Sequence, residues 1–185
     1  MRTIAVGIAV LMLAVQVVDG QTPQMRADTG RYSPRYELPN GKQIVVVYIG
    51  ATSCGPCRTP EFKDVVRRMK PLLARQADSL KRPLSINGVA IDWVVDSGYA
   101  FLKEAGEWDE ITVGNNWVNV GALRYIWGDT LTRPAMPQVI IYERTMSPEL
   151  RRIGFGAEVR VGQFVGSDDV TAWVKRGAPI PMPQK

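Results

Sequence analysis

A run of β-branched and apolar residues between Gln43 and Ile49 limits the folds that are open to this chain. After Gln43 it reads Ile-Val-Val-Val-Tyr-Ile. A strand with one face in water alternates apolar and polar side chains, whereas a strand covered on both faces does not. The run therefore predicts a central parallel strand with helices above and below it.

Periodic segments along the rest of the chain predict further helices and strands. In the first half we expect an amphipathic helix over 60–76 that is bent or ended near Pro71, a strand within 84–93, and a helix that is capped by Asp96-Ser97-Gly98 and runs through Glu104. A strand at 111–113, a helix over 117–127 and a strand at 138–142 follow. The chain then makes a turn at 144–148, a partner strand at 150–155, and a helix that is capped by Ser167-Asp168-Asp169, runs through Lys175 and stops at Gly177. A right-handed crossover makes the first two strands parallel, and the late hairpin adds antiparallel strands. The predicted fold class is α/β, a mixed central β-sheet flanked by helices on both faces.

The first twenty residues have the layout of a secretory signal peptide. Arg2 precedes an apolar run from Ile4 to Val18, and Val18-Asp19-Gly20 suits cleavage before Gln21. The run is shorter than the roughly 20 residues of a membrane span, and an uncleaved N-terminal anchor is the alternative. We expect an exported protein with a signal peptide or anchor at 1–20, a leader segment at 21–41, a domain at 42–178 and a C-terminal tail at 179–185.

Residue counts exclude several kinds of chemistry. The chain has two cysteines and no histidine, so zinc sites built from Cys and His, haem attachment, and Ser-His or Cys-His pairs are excluded. No metal and no cofactor are expected. The net charge of +5 is spread along the chain, which does not favour a nucleic-acid partner. The remaining thiol chemistry is that of a dithiol that closes on itself.

The two cysteines form the motif Cys54-Gly55-Pro56-Cys57, between the predicted central strand and the first helix. This placement puts the first sulfur at a helix N-terminus, where partial positive charge favours a thiolate. We expect Cys54 to be the exposed nucleophile and Cys57 to attack the mixed disulfide that Cys54 forms. Gly55 and Pro56 restrict the loop without adding bulk.

With this motif the chain resembles the thioredoxin superfamily, whose active sites combine a strand, a Cys-Gly-Pro-Cys turn and a helix. Family members carry a cis proline opposite the dithiol and before an antiparallel strand, and Met136-Pro137 stands in that place. The resemblance implies a thioredoxin fold, in which Pro137 presents the backbone of Met136 to a partner chain. It also implies a thiol-disulfide oxidoreductase whose redox-active group is the Cys54-Cys57 disulfide.

The long segment between Asp92 and Pro137, together with the export signal, is similar to the TlpA-type thioredoxins of the bacterial cell envelope. That resemblance implies a periplasmic or envelope location, disulfide-containing or dithiol partner proteins, and a membrane electron donor. The direction of electron flow is open at this point.

Two positions depart from the family pattern: Ser53 replaces a common Trp, and Tyr48 replaces a buried acid. Tyr48 either hydrogen-bonds near the dithiol or packs in the core, with packing favoured. Asp92 is either an acid that exchanges a proton with Cys57 or a solvated loop carboxylate, and the second interpretation is favoured. Arg58 either favours the Cys54 thiolate through its charge or is a solvated charge.

These departures leave two alternatives to an active redox centre. In the first, the disulfide is only a structural staple, as is common in exported proteins. In the second, which Ser53 and Tyr48 motivate, the chain is a redox-inert binding module in an envelope assembly, and its inserted aromatic segment makes the contacts. The five tryptophans are interpreted as core or rim residues.

Overall fold

The structure is a computed structural model that describes residues 40–128, 133–149 and 152–181. The predicted signal peptide and nearly all of the leader segment lie outside these residues. The strands are β1 (Gly41–Gly50), β2 (Leu84–Ala90), β3 (Glu110–Thr112), β4 (Gln138–Glu149) and β5 (Arg152–Val165); the helices are α1 (Pro60–Ser79), α2 (Val95–Ala105), α3 (Val120–Ala122) and α4 (Ser167–Lys175). No helix in the described ranges is long and apolar enough to cross a membrane.

The strand β1 lies at the centre of a five-stranded sheet with the order β3-β2-β1-β4-β5. It pairs in parallel with β2 and antiparallel with β4, and β5 adds a second antiparallel strand. Every residue from Ile44 to Ile49 is at most 1% exposed. The predicted central strand and mixed sheet are therefore confirmed.

Helical segments cover both faces of this sheet, as predicted. On the face of Tyr48, the ring of Tyr48 packs on Phe101 of α2, and Phe164 of β5 stacks on Trp173 of α4. Helix α1 lies between α2 and α4. Its Arg67 donates a hydrogen bond to the carbonyl of Glu104 near the end of α2, and its Gln76 donates one to the carbonyl of Gly177 just after α4. The opposite face is covered by residues 116–127. Gly121 in this segment lies so close to Val89 of β2 that a Cβ at position 121 would be 2.8 Å from a Val89 methyl.

The helix α1 is longer than predicted. Pro71 lies inside it without ending it, and the helix continues to Ser79. Pro71 removes one backbone donor, but the residues beyond it include Leu73 and Ala77, which are 0% and 2% exposed. Burial of this second half outweighs the missing hydrogen bond.

The predicted side-chain caps of α2 and α4 are wrong. Val94 precedes α2 and Gly166 precedes α4, and neither gives a side-chain cap, so Asp96 and Asp168 lie in the first helical turns. Acidic residues at these positions still complement the helix dipole. Gly177, at φ +91°, ends the last turn as expected.

The single helix predicted over 117–127 is also wrong. This segment is a 3₁₀ turn at Asn116–Val118, then α3, then a π turn at Leu123–Trp127. Asn115 and Asn116 have φ of 58° and 50°, which breaks any helix entering from the N-terminal side. Asn119 then restarts it, because its side chain accepts the Ala122 N–H at 2.7 Å.

The turn predicted at 144–148 lies within β4. Arg144 and Thr145 pair with β1, at Gln43 and Lys42, so the chain stays extended there. The partner strand predicted at 150–155 begins at Arg152 and runs on to Val165. The polar and proline-containing stretch suggested a turn, but pairing with β1 and β5 keeps it in the sheet.

The first residues of the predicted C-terminal tail pack against α1 and α4. The Trp173 indole N–H donates to the carbonyl of Pro179 at 2.9 Å, and the Ile180 N–H donates to Gln76 Oε1 at 2.9 Å. Ile180 is 8% exposed. Residues 182–185 lie outside the described residues.

An ion network joins β1, β4 and the start of β2 at the end of the sheet remote from the dithiol. Glu143 accepts hydrogen bonds from Lys42, at 2.6 Å, and from Arg82. The hydrogen bond from Lys42 lowers the pKa of Glu143, and the nearby Arg82 charge lowers it further against the effect of burial. The folded protein therefore keeps this carboxylate ionised at pH values that already protonate a glutamate in the unfolded chain.

We predict that Glu143→Gln lowers the free energy of unfolding at neutral pH by about 2 kcal/mol, because two charge-assisted hydrogen bonds are lost. The folded pKa is lowered, so this contribution is present above the ordinary glutamate pKa and is lost as pH falls through the folded value. Urea unfolding from pH 7 to pH 3 should show the gap between the two proteins shrinking with acid. Glu107→Gln, at a carboxylate that is 88% exposed, is the control with little effect. A gap that does not change with pH contradicts this assignment.

Candidate redox site

The two cysteines lie at the edge of the sheet where β1 and β2 end and β4 begins. Ile49 pairs with Gln138, and the Ile91 N–H donates to the carbonyl of Gly50 at 2.8 Å. The segments 51–57, 91–95 and 133–137 therefore meet at this edge, which we call the dithiol edge. The topology thus brings together the Cys-Gly-Pro-Cys motif, Asp92 and Pro137.

Cys54 and Cys57 form a disulfide, with their Cα atoms 5.3 Å apart. Cys54 is 5% exposed and Cys57 1%, so Cys54 is the more accessible sulfur, but its expected exposure is wrong for this closed form. Its role as the nucleophile stays a prediction. The Cys57 N–H lies 3.3 Å from Cys54 Sγ and donates to it. A backbone donor at this sulfur favours its anion when the pair is opened.

The dithiol precedes α1 and does not lie inside it. Cys57 belongs to a 3₁₀ turn at Pro56–Arg58, and α1 begins only at Pro60. Thr59 is the N-cap, because its hydroxyl accepts the Phe62 N–H at 3.3 Å. The expectation that Cys54 lies at the N-terminus of this helix is therefore wrong, whereas the helix itself begins at Pro60, as predicted.

The bond between Met136 and Pro137 is cis, as the resemblance implied. The Pro137 carbonyl accepts the Gly166 N–H at 2.8 Å, which ties this loop to the start of α4. Met136 is partly buried against the core. It lies outside the β4 ladder, which begins at Gln138.

Gln138 is a residue of the site that sequence reasoning missed. It is fully buried, and its side-chain amide donates to the carbonyls of Ala135, at 2.7 Å, and Arg133, at 3.1 Å. Gln163 donates to its Oε1 at 3.1 Å. Gln138 therefore holds the backbone that leads into the cis proline; a polar residue opening the apolar run Val139–Ile141 was the available signal.

Asp92 is not the solvated carboxylate that we favoured from the sequence, since it is 7% exposed. Both of its carboxylate oxygens lie 3.3 Å from the Thr52 backbone nitrogen, and the Thr52 hydroxyl also donates to the carboxylate. The Asp92 carbonyl accepts the Asn116 N–H at 3.0 Å. Asp92 therefore fixes the loop that enters the dithiol, because Thr52 is two residues before Cys54.

Tyr48 packs in the core, which was the favoured interpretation. Its ring stacks on Trp108 with centroids 5.4 Å apart, and its hydroxyl has no hydrogen-bond partner among the described residues. Burial raises the pKa of Tyr48. A Cβ at Gly50 would lie 2.6 Å from Tyr48 Oη and 2.8 Å from Phe101 Cζ, so the chain passes this ring only with glycine at position 50.

Arg58 is exposed beside the dithiol. Its side chain lines a cavity of about 240 Å³ together with Thr52, Lys63, Phe101 and Glu104. Within the described part of the chain, no acceptor holds its guanidinium. This fits the solvated charge, one of the two interpretations from the sequence.

The tryptophans divide between core and surface. Trp173 is fully buried, whereas Trp93 and Trp127 are 72% and 51% exposed. The remaining two, Trp108 and Trp117, are partly buried against the core. Among the described residues, no cluster of His, Cys, Asp and Glu is arranged to bind a metal ion.

Comparison with known proteins gives weak similarities. No family model and no curated protein match the chain. Among solved structures it is similar to a thiol:disulfide interchange protein from Bacteroides sp., at 16% identity, 74% of this chain, 72% of that one and a TM-score of 0.42. A thioredoxin-family thiol:disulfide interchange protein from Chlorobium tepidum TLS has 14% identity, 80% and 100% coverage and a TM-score of 0.41.

A third similar structure is the thioredoxin domain of a thiol-disulfide oxidoreductase from Bacteroides vulgatus, at 19% identity, 72% of this chain, 78% of that one and a TM-score of 0.35. All three TM-scores are below 0.5, so these similarities do not bear on the chemistry of Cys54 and Cys57.

We predict that Asp92→Ala loosens the loop before the dithiol. The Thr52 amide loses its acceptor, and opening becomes easier by about 1–2 kcal/mol, so its hydrogen exchange should accelerate about tenfold or more. NMR-detected exchange of the oxidised protein measures this. The control is Asp96→Ala, at an exposed carboxylate four residues further on; equal acceleration in both variants contradicts the assignment.

We also predict that Tyr48→Phe does not destabilise the protein, and raises its free energy of unfolding by up to about 1 kcal/mol, because the substitution removes a buried hydroxyl without a partner. Tyr125→Phe is the matched control: its hydroxyl accepts from Asn87 at 3.3 Å, and its loss should cost about 1 kcal/mol. Urea denaturation compares the two. Clear destabilisation by Tyr48→Phe would instead show that the Tyr48 hydroxyl makes a hydrogen bond, and would favour its interaction near the dithiol.

Proposed function

We propose that this protein is an exported thiol-disulfide oxidoreductase of the thioredoxin type, which reduces or exchanges disulfides in partner proteins through Cys54 and Cys57. The observation that carries the proposal is the dithiol itself. Two cysteines separated by two residues form a disulfide on a short turn at the end of the central strand, at the same sheet edge as the cis bond before Pro137.

A disulfide of this kind makes a poor structural staple. The loop between Cys54 and Cys57 contains two residues, and closing so short a loop removes little entropy from the unfolded chain. Other hydrogen bonds already stabilise the dithiol edge: Thr52 donates to Asp92, and Gln138 donates to the Ala135 carbonyl. Exchange chemistry is therefore a better reason for the pair than stabilisation.

In the reducing direction, the Cys54 thiolate attacks one sulfur of the partner's disulfide. The new bond joins Cys54 to the partner, and the partner's other sulfur leaves as a thiolate. Cys57 then loses its proton and attacks Cys54 Sγ, which closes the Cys54-Cys57 disulfide and releases the partner's second thiolate. Two electrons pass from this protein to the partner, and both partner sulfurs end as thiols; the same steps in reverse oxidise a dithiol partner.

Several groups are suited to support this exchange. The Cys57 N–H, 3.3 Å from Cys54 Sγ, would stabilise the attacking thiolate. Met136 precedes the β4 ladder, so its backbone is placed to bind an extended partner chain beside Pro137. Gly55 and Pro56 are both exposed between the cysteines and would let the partner approach without a side-chain obstacle.

The proposal includes the cellular setting that follows from the sequence. The signal-like segment 1–20 would place the domain in the periplasm or envelope, where a reductase needs a membrane electron donor to reopen its disulfide. The thiol chemistry itself uses no cofactor or metal.

A second candidate is a redox-inert module that binds a partner through exposed apolar side chains. Burial favours it, since Cys54 and Cys57 are only 5% and 1% exposed whereas Trp93 and Val120 are 72% and 75% exposed. In such a module the cysteines would not exchange, and their variants would bind the partner unchanged.

We predict that Cys54→Ser abolishes the reduction of an added protein disulfide, because the variant has lost the attacking sulfur. Cys57→Ser should instead accumulate a mixed disulfide at Cys54, since the resolving sulfur is absent. Turbidity of insulin reduced with dithiothreitol measures the first effect, and non-reducing gels with mass spectrometry measure the second. Full activity of Cys54→Ser would overturn the proposal.

The reduction potential of the pair then gives the direction of electron flow. Equilibration with glutathione or dithiothreitol buffers near −270 mV indicates a reductase, and equilibration near −120 mV indicates a disulfide donor. A pair that never exchanges with these buffers favours the redox-inert module.

A further inference from the structure

Positive charge is concentrated at the end of the sheet remote from the dithiol. Residues 40–185 contain 19 Lys and Arg against 15 Asp and Glu. Six of these basic residues and two acidic ones, Asp78 and Glu143, belong to segments that meet at this end, which leaves 13 of each sign elsewhere. The fold thus gathers a surplus that is spread along the sequence. We define the basic face by its six cations: Lys42, Arg75, Lys81, Arg82, Lys175 and Arg176.

Glu143 holds two of these cations side by side. It accepts hydrogen bonds from Lys42 at the start of β1 and from Arg82 just before β2. The side chain of Lys42 is 57% exposed in spite of this contact, and Lys81, which precedes Arg82, is exposed as well. One carboxylate, itself 10% exposed, therefore offsets only part of the positive charge at the starts of these two strands.

The end of α1 joins these strands to the end of α4. The Arg82 N–H donates to the carbonyl of Ala77 at 3.0 Å. The preceding residue, Gln76, donates from its side chain to the Gly177 carbonyl at 2.7 Å, directly after α4. The cations of this part are all exposed; they are Arg75, Lys175 and Arg176. The six cations therefore share one end of the domain.

The basic face carries charge without large apolar side chains. Of the ten large apolar side chains that are exposed among the described residues, none lies in 40–43, 75–83 or 173–178. Surfaces that insert into the acyl part of a membrane carry Trp, Phe or Leu beside their cations. This face is therefore suited to a layer of anionic groups that it contacts by charge alone.

The N-terminal part of the chain joins the domain at this face. Gly41 begins β1 next to Lys42, and residues 1–39 precede it. The apolar run 4–18 is shorter than the roughly 20 residues of a membrane span. If it remains as an anchor, an electrostatic contact with anionic lipid would add to its binding.

We propose that the basic face binds the anionic headgroups of a membrane surface and so directs the dithiol edge away from the membrane. This inference rests on the envelope location in the proposed function, and not on the exchange chemistry. The ten residues of β1 run from the basic face to the dithiol edge and span about 30 Å at about 3.3 Å per residue. Cys54 is thus presented to partner proteins on the aqueous side of the domain.

The test measures how the full chain partitions between buffer and vesicles in a flotation assay. One set of vesicles is phosphatidylcholine, and the other is an equal mixture of phosphatidylcholine and phosphatidylglycerol. The apolar run 4–18 contributes alike to both, so the ratio of the two partition coefficients isolates the effect of charge. We expect this ratio to be about tenfold at an ionic strength of about 0.1 M and to approach one near 1 M, where the Debye length falls to about 3 Å.

The double variant Arg75→Glu, Arg176→Glu tests the basic face directly. It reduces the formal charge of the face, counted with Asp78 and Glu143, from +4 to zero, and should bring the partition ratio close to one. The matched control is Arg58→Glu, Lys103→Glu, which makes the same change of charge at two exposed side chains outside the face. This control should keep the tenfold ratio.

Three results overturn the proposal: equal partition of the wild-type protein into the two kinds of vesicle, an equal loss in the control variant, or tighter binding of a DNA fragment than of the anionic vesicles at about 0.1 M salt. The last result would assign the face to nucleic acid.

Insulin reduction by the same proteins keeps the two proposals apart. The variant Arg75→Glu, Arg176→Glu should reduce insulin at the wild-type rate, because both residues lie at the end of the domain remote from the dithiol. Failure of the wild-type protein to reduce insulin overturns the proposed function and leaves the vesicle result unchanged. A protein that reduces insulin but does not distinguish the vesicles keeps its function and loses the membrane contact.

Discussion

Complete burial of β1 is the constraint on which the rest of the structure depends. Residues Ile44 to Ile49 are at most 1% exposed and pair with β2 on one side and β4 on the other. Because both edges of β1 are hydrogen-bonded and both faces are covered, the end of the strand is a fixed point. The turn that carries the cysteines starts from that point, and so do the segments of β2 and β4 that meet it.

The central features could be predicted from the sequence because each has a local cause. An apolar run without alternation specifies a buried strand, and the spacing of the two cysteines specifies a closed ring. The cis bond before Pro137 was implied by the resemblance to the thioredoxin superfamily. All three survive in the structure at the positions expected.

What could not be predicted depends on contacts between segments that are distant in sequence. Asp92 looks like a loop carboxylate in the sequence, and it is buried only because Thr52 comes to it from the end of another strand. Residues 144–148 have the composition of a turn, yet pairing with β1 keeps Arg144 and Thr145 extended. The helix expected over 117–127 is interrupted at Asn115 and Asn116, and Asn119, which restarts it, donates to the carbonyl of Ala90 at the end of β2. In each case tertiary pairing overrides local preference.

The close approach of Gly50 to Tyr48 and Phe101 has a consequence for how this site can change over evolution. A Cβ at position 50 would lie 2.6 Å from Tyr48 Oη and 2.8 Å from Phe101 Cζ, so the glycine is required by these two aromatic side chains and not by the chemistry of the cysteines. Alanine at position 50 becomes tolerable only in a relative with smaller residues at both 48 and 101, so the three positions should vary together. A side chain can be added at position 50 only where the two aromatic residues give up space beneath the turn that carries the dithiol.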